Sequence, residues 1–138
     1  MTAKEYMMQV RFIDHMVDAK LEQLARLKET ATKATMTISD MPRSDSPDLQ
    51  SMETTVVRMI DLERDIDAEI DRLVDLKREV QLAIDQIPDM DQRLILELRY
   101  FSYKSWSEIA DMVGYCESNI YRLHGVALKK ISKFKRLE

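Results

Sequence analysis

The sequence predicts an all-α protein, in which a long N-terminal helical hairpin is followed by a small helical domain. Three observations support this fold class. The 138 residues include only two Gly and three Pro, while helix-forming and charged residues are abundant. Apolar residues recur at helical spacing through most of residues 1–88. Shorter amphipathic segments then meet at Gly114. We therefore divide the chain into a hairpin over residues 1–88 and a C-terminal domain over residues 89–138.

The first predicted helix runs from Ala3 to about Thr32. One face carries its apolar stripe, and polar residues occupy the other faces. The stripe consists of Met7, Val10, Ile13, Val17, Leu21, Leu24, Leu27 and Ala31. From Thr35 onward, β-branched residues, serines and the prolines at positions 42 and 47 predict a loop.

The second predicted helix begins between Pro47 and Ser51 and ends near Gln86. Its apolar positions repeat every three or four residues over more than four heptads, which is typical of a coiled coil. These positions are Val56, Met59, Glu63, Ile66, Ile70, Leu73, Lys77, Val80, Ile84 and Ile87. Additional apolar residues widen the stripe beyond what one partner helix covers, so a second copy is expected to join helix one. Glu63 and Lys77 either fix the register from inside the core or lie at its edge.

Nothing in the sequence indicates an enzyme. Carboxylates line one face of helix two, but arginines alternate with them and no histidine accompanies them, which is typical of a solvated, salt-bridged face. His15 and His124 are isolated, and no phosphate loop, nucleophile motif or metal-ligand spacing occurs. We therefore expect no cofactor and no metal site.

Composition also predicts where the protein acts. The single cysteine, Cys116, excludes an intramolecular disulfide and fits a reducing cytosol. No apolar run approaches the ~20 residues of a membrane span, and the N-terminal residues lack the apolar core of a secretion signal. A cytoplasmic protein without membrane contact is expected.

A third helix is predicted after the junction at Pro88, which cannot continue helix two. Asp89 or Asp91 is suited to cap the new helix. This helix should run from Gln92 to Phe101. Its inward residues are predicted to be Leu94, Ile95, Leu98 and Phe101.

Residues 106–125 have the spacing of a helix-turn-helix. Ile109, Ala110 and Val113 share one helical face, where the small Ala110 lets a second helix cross closely. Gly114 follows where the chain must turn sharply. Ile120 and Leu123 should then point back into the same core. The outward residues suit a DNA major groove, although the same spacing occurs in helical corners that bind no DNA. They are Glu117, Ser118, Asn119, Tyr121 and Arg122.

The stretch from residue 87 to 131 resembles region 4 of the sigma-70 family of bacterial transcription initiation factors. The matching residues are Ile87-Pro88, Asp91, Arg93, Leu98-Arg99-Tyr100-Phe101, Glu108-Ile109-Ala110, Gly114, Ile120 and Ala127-Leu128-Lys129-Lys130-Ile131. The fuller pattern R-Y-x-x-x-K-S-W-x-E-I-A followed by Y-R-L-H-G-x-A-L-K-K is similar to phage and prophage regulators of the ArpU/RinA type, found in Gram-positive hosts. The resemblance implies a transcriptional regulator of phage genes that contacts RNA polymerase near the promoter.

Two departures limit the resemblance. Cys116 stands where sigma region 4 usually has Ser or Thr as the cap of the recognition helix, and sulfur is a weak acceptor. Ser118 shares the capping role if that helix starts later. No counterpart of sigma region 2 is present, so the chain is not a complete sigma factor, and the promoter sequence does not carry over.

The charge distribution supports DNA binding by the C-terminal part. Residues 1–88 carry 12 Lys/Arg and 18 Asp/Glu, a net −6, whereas residues 89–138 carry 9 and 7, a net +2. The predicted phosphate contacts are Lys104, Ser105 and the basic cluster from Lys129 to Arg136, which comprises Lys129, Lys130, Lys133, Lys135 and Arg136. Because +2 is modest, one copy should bind DNA weakly and with strong salt dependence. This favours either a homodimer that forms through the hairpin or help from another DNA-bound protein.

The sequence therefore predicts a sequence-specific DNA-binding transcriptional regulator of phage type, with double-stranded DNA as partner and bacterial RNA polymerase as a second candidate partner. One alternative is a DNA-packaging subunit like a small terminase, which a ring of many copies would indicate. Another is a protein-interaction module that binds polymerase without DNA, whose binding would resist salt.

Overall fold

The computed structural model describes residues 1–40 and 47–137, with side chains described for residues 1–33 and 50–137. The described backbone forms helices joined by short connections, without a β-strand, so the predicted all-α class is confirmed. Across these residues, we find no helix that combines the length and apolar character needed to cross a membrane. The helices are α1 (Ala3–Asp40), α2 (Pro47–Asp85), α3 (Met90–Tyr100), α4 (Trp106–Val113) and α5 (Glu117–Lys135).

The predicted end of the first helix at Thr32 is wrong, because α1 continues to Asp40. The hydroxyls of Thr30 and Thr32 donate to the carbonyl oxygens of Arg26 and Lys28, at 3.0 and 2.9 Å. β-Branched residues with such bonds cost a helix only tenths of a kcal/mol each and do not end it. The remainder of the predicted loop, residues 41–46, lies outside the described residues. Both predicted ends of α2 are confirmed within a residue.

The chain divides into two compact units. We call His15–Asp71 the helical-pair unit, since its described residues belong to α1 and α2. The C-terminal unit combines Met1–Asp14 with Arg72–Glu138. The first turns of α1 and the last turns of α2 are thus grouped with α3, α4 and α5. The functional division predicted after residue 88 stays a prediction.

In the helical-pair unit, the two helices share an apolar seam and an ion pair. The buried residues Val17, Leu24 and Ile66 belong to the seam. Lys20 Nζ lies 3.6 Å from Glu69 Oε1, and each side chain is about four-fifths shielded. The ion pair joins α1 to α2, about one helical turn from Leu24 on α1 and from Ile66 on α2.

In the helical-pair unit of a single chain, part of the predicted apolar stripes is exposed. Leu21, Val56 and Ile70 are all exposed. The stripes are wider than the surface that one facing helix covers, so residues at their margins stay in solvent. Glu63 is also exposed, which places it at the edge rather than in the core, whereas Lys77 of the C-terminal unit is half-buried.

In the C-terminal unit, the start of α1 and the end of α2 contribute fully buried side chains. These are Met7, Val10, Val80, Ala83, Ile84 and Ile87. Polar contacts reach from both segments to the later helices. Tyr103 donates its hydroxyl to Asp14 Oδ2 at 2.6 Å, and Gln81 Nε2 donates to Glu97 Oε1 at 2.8 Å. Lys135 Nζ pairs with the Glu79 carboxylate at 3.1 Å.

Helix α3 begins at an aspartate cap, as predicted. Asp89 Oδ1 accepts from the backbone N–H groups of residues 91 and 92 at 2.8 and 3.2 Å, and the helix starts at Met90. Ile95 and Leu98 are buried as predicted.

The other two predicted inward residues of α3 are not core residues. Leu94 is exposed and Phe101 is only partly buried. Leu96 and Tyr100 are buried instead. Because α3 packs against both α4 and α5, its buried surface is wider than a single stripe and is rotated away from the predicted one.

Candidate nucleic-acid interface

Helix α4 has a defined start and a defined end. Ser105 Oγ accepts from the Glu108 backbone N–H at 3.2 Å, and Glu108 Oε2 accepts from the Ser105 N–H at 3.3 Å, a reciprocal capping box. At the other end, Gly114 adopts φ 87° and ψ 23°, and its N–H donates to the Ala110 carbonyl at 2.9 Å. A side chain at this φ is strained. The predicted glycine turn is confirmed.

A small apolar core fixes how α5 crosses α3 and α4. Its buried residues are Ile95, Leu98, Ile109, Ala110, Ile120 and Leu123, with Trp106 and Val113 packed against them. The predicted inward orientation of Ile120 and Leu123 is confirmed. Since one face of α5 is in this core, the opposite face of its first turns is left to solvent.

A buried polar pair joins α5 to α3. The Tyr100 hydroxyl lies 2.7 Å from His124 Nε2, and the two rings stack with centroids 5.7 Å apart. Burial, aided by the charges of Arg99 and Lys4, lowers the pKa of His124 from 6.5 to about 4. Burial also raises the pKa of Tyr100 to about 12. At neutral pH both groups are therefore uncharged, and His124 is a packing residue.

Trp106 links this pair to the surface of α5. Its ring meets His124 edge-on at 4.6 Å and Tyr121 edge-on at 5.3 Å. The Arg99 guanidinium lies 4.3 Å from the centre of the Trp106 ring, while its Nη1 donates to the Lys104 carbonyl at 3.0 Å. The position of Tyr121 is thus set by aromatic contacts that continue into the buried core.

The predicted groove residues lie at the start of α5. Glu117, Ser118, Tyr121 and Arg122 are exposed, and Asn119 is half-buried. Asn119 Oδ1 accepts from Arg122 Nε at 3.1 Å and from Arg122 Nη2 at 2.8 Å. The structure therefore brings these five side chains onto one exposed surface, which we call the α5 face.

Cys116 is the N-cap residue of α5, and its side chain accepts no backbone N–H. Its sulfur lies instead 3.2 Å from Ser118 Oγ. That hydrogen bond, with backbone N–H groups nearby, lowers the pKa of the exposed thiol. Because α5 already begins at Glu117, Ser118 is inside the helix, and the later start that would let it cap is not found.

The predicted phosphate contacts lie on two elements. Lys104 and Ser105 stand at the start of α4, where Ser105 Oγ already accepts as a cap. Lys129 and Lys133 are exposed on the second half of α5. Lys130 differs, since its Nζ donates to Gln92 Oε1 at 2.8 Å and holds α5 to α3. The buried Gln92 was not predicted, because its partner is 38 positions away.

No group of three or more metal-ligating side chains occurs among the residues described. On α2, Asp61, Asp65, Asp71 and Asp75 are exposed, whereas Glu69 is shielded and pairs with Lys20. The candidate site is therefore the exposed polar face of α5. This helix is held by the core beneath it and follows α4, which has a capping box at its start and a glycine turn at its end.

These features define an all-helical protein with an exposed polar helix face on a small packed core. The chain belongs to the family described as "Protein of unknown function (DUF1492)", which matches residues 48–132. That match covers more than half of the chain, from the start of α2 into the last turns of α5. Comparison with curated proteins gives no match, and neither does comparison with solved structures.

Proposed function

We propose that this protein is a sequence-specific DNA-binding transcriptional regulator of phage or prophage genes. In this proposal α4 and α5 form a helix-turn-helix like that of sigma-70 region 4, and α5 lies in the major groove of double-stranded DNA. One observation carries the proposal. The first turns of α5 expose Glu117, Ser118, Tyr121 and Arg122 while Ile120 and Leu123 hold the opposite face in the core.

The positive side chains of the C-terminal unit support the same proposal. Lys129 and Lys133 extend the α5 face toward the helix end, where they are free of the core. In the cap of α4, Ser105 Oγ acts only as an acceptor. The Ser105 hydroxyl can therefore still donate a hydrogen bond to a phosphate oxygen. DNA held by these groups would be positioned for contact with α5.

We further propose that residues 1–88 form a coiled-coil-like hairpin through which two copies pair. In the helical-pair unit, α2 exposes Val56, Val57 and Ile60 within two turns. A second copy would shield them from water and would double the charge available to DNA. RNA polymerase is a second proposed partner, on the resemblance to sigma region 4 alone, and the bacterial cytoplasm is then where the protein acts.

The function is tested by incubating the full chain with fragmented phage and host DNA at near-physiological salt, and sequencing what is retained. Enrichment of one short site, upstream of genes, supports a specific regulator and identifies its operator. Uniform recovery together with rings of many copies in solution would favour a packaging subunit instead. Absent recovery would contradict DNA binding and favour a protein-interaction module.

The double variant Lys129→Ala/Lys133→Ala should bind DNA with a weaker salt dependence. Removing one lysine–phosphate interaction lowers the magnitude of the slope of log K against log salt concentration by about 0.9, so a decrease of about 1.8 is expected for each bound copy, or about 3.6 for the proposed dimer. Affinity should fall similarly on all sequences, since phosphate contacts carry no sequence information. Titrations at several salt concentrations measure both quantities.

A charge-matched control is the double variant Lys28→Ala/Lys33→Ala, which removes two exposed lysines from α1 in the helical-pair unit. Its slope should equal that of the wild type. Equal slopes for the wild type and Lys129→Ala/Lys133→Ala would show that the second half of α5 does not meet phosphates.

A further inference from the structure

The α5 face contains one pair of side chains whose donors and acceptors are already arranged. Asn119 Oδ1 accepts two hydrogen bonds from Arg122, one from Nε at 3.1 Å and one from Nη2 at 2.8 Å. These two donors form the side edge of the planar guanidinium group. The end edge is made by one N–H of Nη1 and the second N–H of Nη2. It points away from Asn119 and offers two parallel N–H donors.

We propose that Arg122 recognises a guanine through this end edge and that Asn119 is a positioning residue that makes no base contact. The inference rests on the proposed DNA-binding function and names the base that the α5 face selects. Guanine presents two acceptors in the major groove, O6 and N7, which match two parallel N–H donors. Adenine presents N7 beside an N6 amino group, and that amino group would oppose the second donor.

The geometry assigns Asn119 differently from an adenine-reading asparagine. An asparagine that reads adenine accepts from N6 with its own Oδ1 and donates to N7. In this protein Oδ1 already accepts from both donors of the Arg122 side edge. The amide is also half-buried, whereas Arg122 is exposed. A contact of Asn119 with adenine would first have to break both bonds and release the guanidinium.

Because Asn119 holds the Arg122 side chain in place, less conformational entropy is lost when DNA binds. A free arginine side chain loses rotational freedom when it forms two bonds to one base, and this loss weakens binding. Since Asn119 is three residues earlier on the same helix, its carboxamide lies beside the guanidinium before DNA arrives. Removing the carboxamide should therefore weaken selection of one guanine while other positions in the site are still selected.

The test uses the full chain and the DNA site that it selects from a random duplex library. Each guanine of the site is replaced in turn by adenine or by 7-deazaguanine, which lacks the N7 acceptor. Replacing one particular guanine by adenine should lower wild-type affinity about 5- to 150-fold, the range for a bidentate base contact. Replacing it by 7-deazaguanine should lower affinity less, because the O6 acceptor is kept. Arg122→Ala should abolish that discrimination, and Asn119→Ala should reduce it several-fold. When Arg122 is already alanine, adding Asn119→Ala should have no further effect on this discrimination.

Two variants separate positioning from loss of structure. Asn119→Asp keeps an acceptor beside Arg122 and should retain the guanine preference even if overall affinity falls through charge repulsion from phosphates. Arg26→Ala removes an exposed arginine from a similar pair, with Glu22 on α1, and should leave discrimination unchanged.

The outcomes distinguish this inference from the proposed function. If wild type binds no DNA, the proposed function fails and the inference fails with it. If wild type binds one site specifically while Asn119→Ala keeps full guanine discrimination, only the inference fails. Loss of selection at an A·T pair in Asn119→Ala would also overturn it, since Asn119 would then be the base reader.

Discussion

Replacing Ile120 by alanine is expected to lower the free energy of unfolding by about 2–5 kcal/mol, the usual range for truncating a fully buried isoleucine. Ile120 is inaccessible to solvent and packs in the core with Ile109 and Leu123. The truncation leaves a cavity between α3, α4 and α5, which cannot close fully because Gly114 and the Ser105 cap fix both ends of α4. Urea unfolding followed by circular dichroism measures the change.

The neighbouring residue provides the control. Tyr121 is half-exposed and contacts Trp106 only edge-on, so Tyr121→Ala should cost less than about 1.5 kcal/mol. For DNA binding by the folded protein, the proposed function predicts the opposite order. Tyr121→Ala should weaken binding more than Ile120→Ala does, since Tyr121 lies on the α5 face and Ile120 does not. Equal destabilisation by the two variants would contradict the assignment of the two faces of α5.

The faces of α4 and α5 could be predicted from the sequence because local rules decide them. Glycine at the turn, apolar residues three and four apart and an aspartate before α3 each have a cause within a few residues. Gly114, Ile120 and Asp89 therefore occupy their predicted places. The same rules place Arg122 on the exposed side of α5.

The burial pattern of α3 could not be predicted, because distant partners decide it. Tyr100 is buried by stacking on a histidine 24 positions later, and Gln92 is held by a lysine 38 positions later. A prediction from one apolar stripe therefore assigned Leu94 to the core, whereas Leu94 is exposed. The Asn119–Arg122 contact differs, because its i, i+3 spacing is local. The sequence still does not show whether the amide meets Arg122 or a base, since either use satisfies it.

The buried histidine is also the residue from which a pH effect on folding follows. In the unfolded chain the pKa of His124 is near 6.5, and burial in the native state lowers it to about 4. The unfolded state therefore binds a proton more readily than the native state. Stability is fully present above about pH 6.5 and is lost as the pH falls from there toward 4.

We expect this residue to remove about 2 kcal/mol of stability between pH 7 and pH 4, less than the full pKa difference implies because solvent and salt screen part of the effect. The effect should be absent in His124→Phe, which keeps an aromatic ring against Trp106 but cannot be protonated. That variant will be less stable at pH 7, because the Tyr100 hydroxyl loses its partner at 2.7 Å. The pH-dependent difference between the two proteins, not their absolute stability, is the quantity to measure.

A wild-type profile that coincides with that of His124→Phe from pH 7 to 4 would mean that the imidazole is protonated in the folded protein. The Tyr100–His124–Trp106 contacts would then tolerate a charge, and the orientation of Tyr121 on the α5 face would not depend on a neutral ring beneath it.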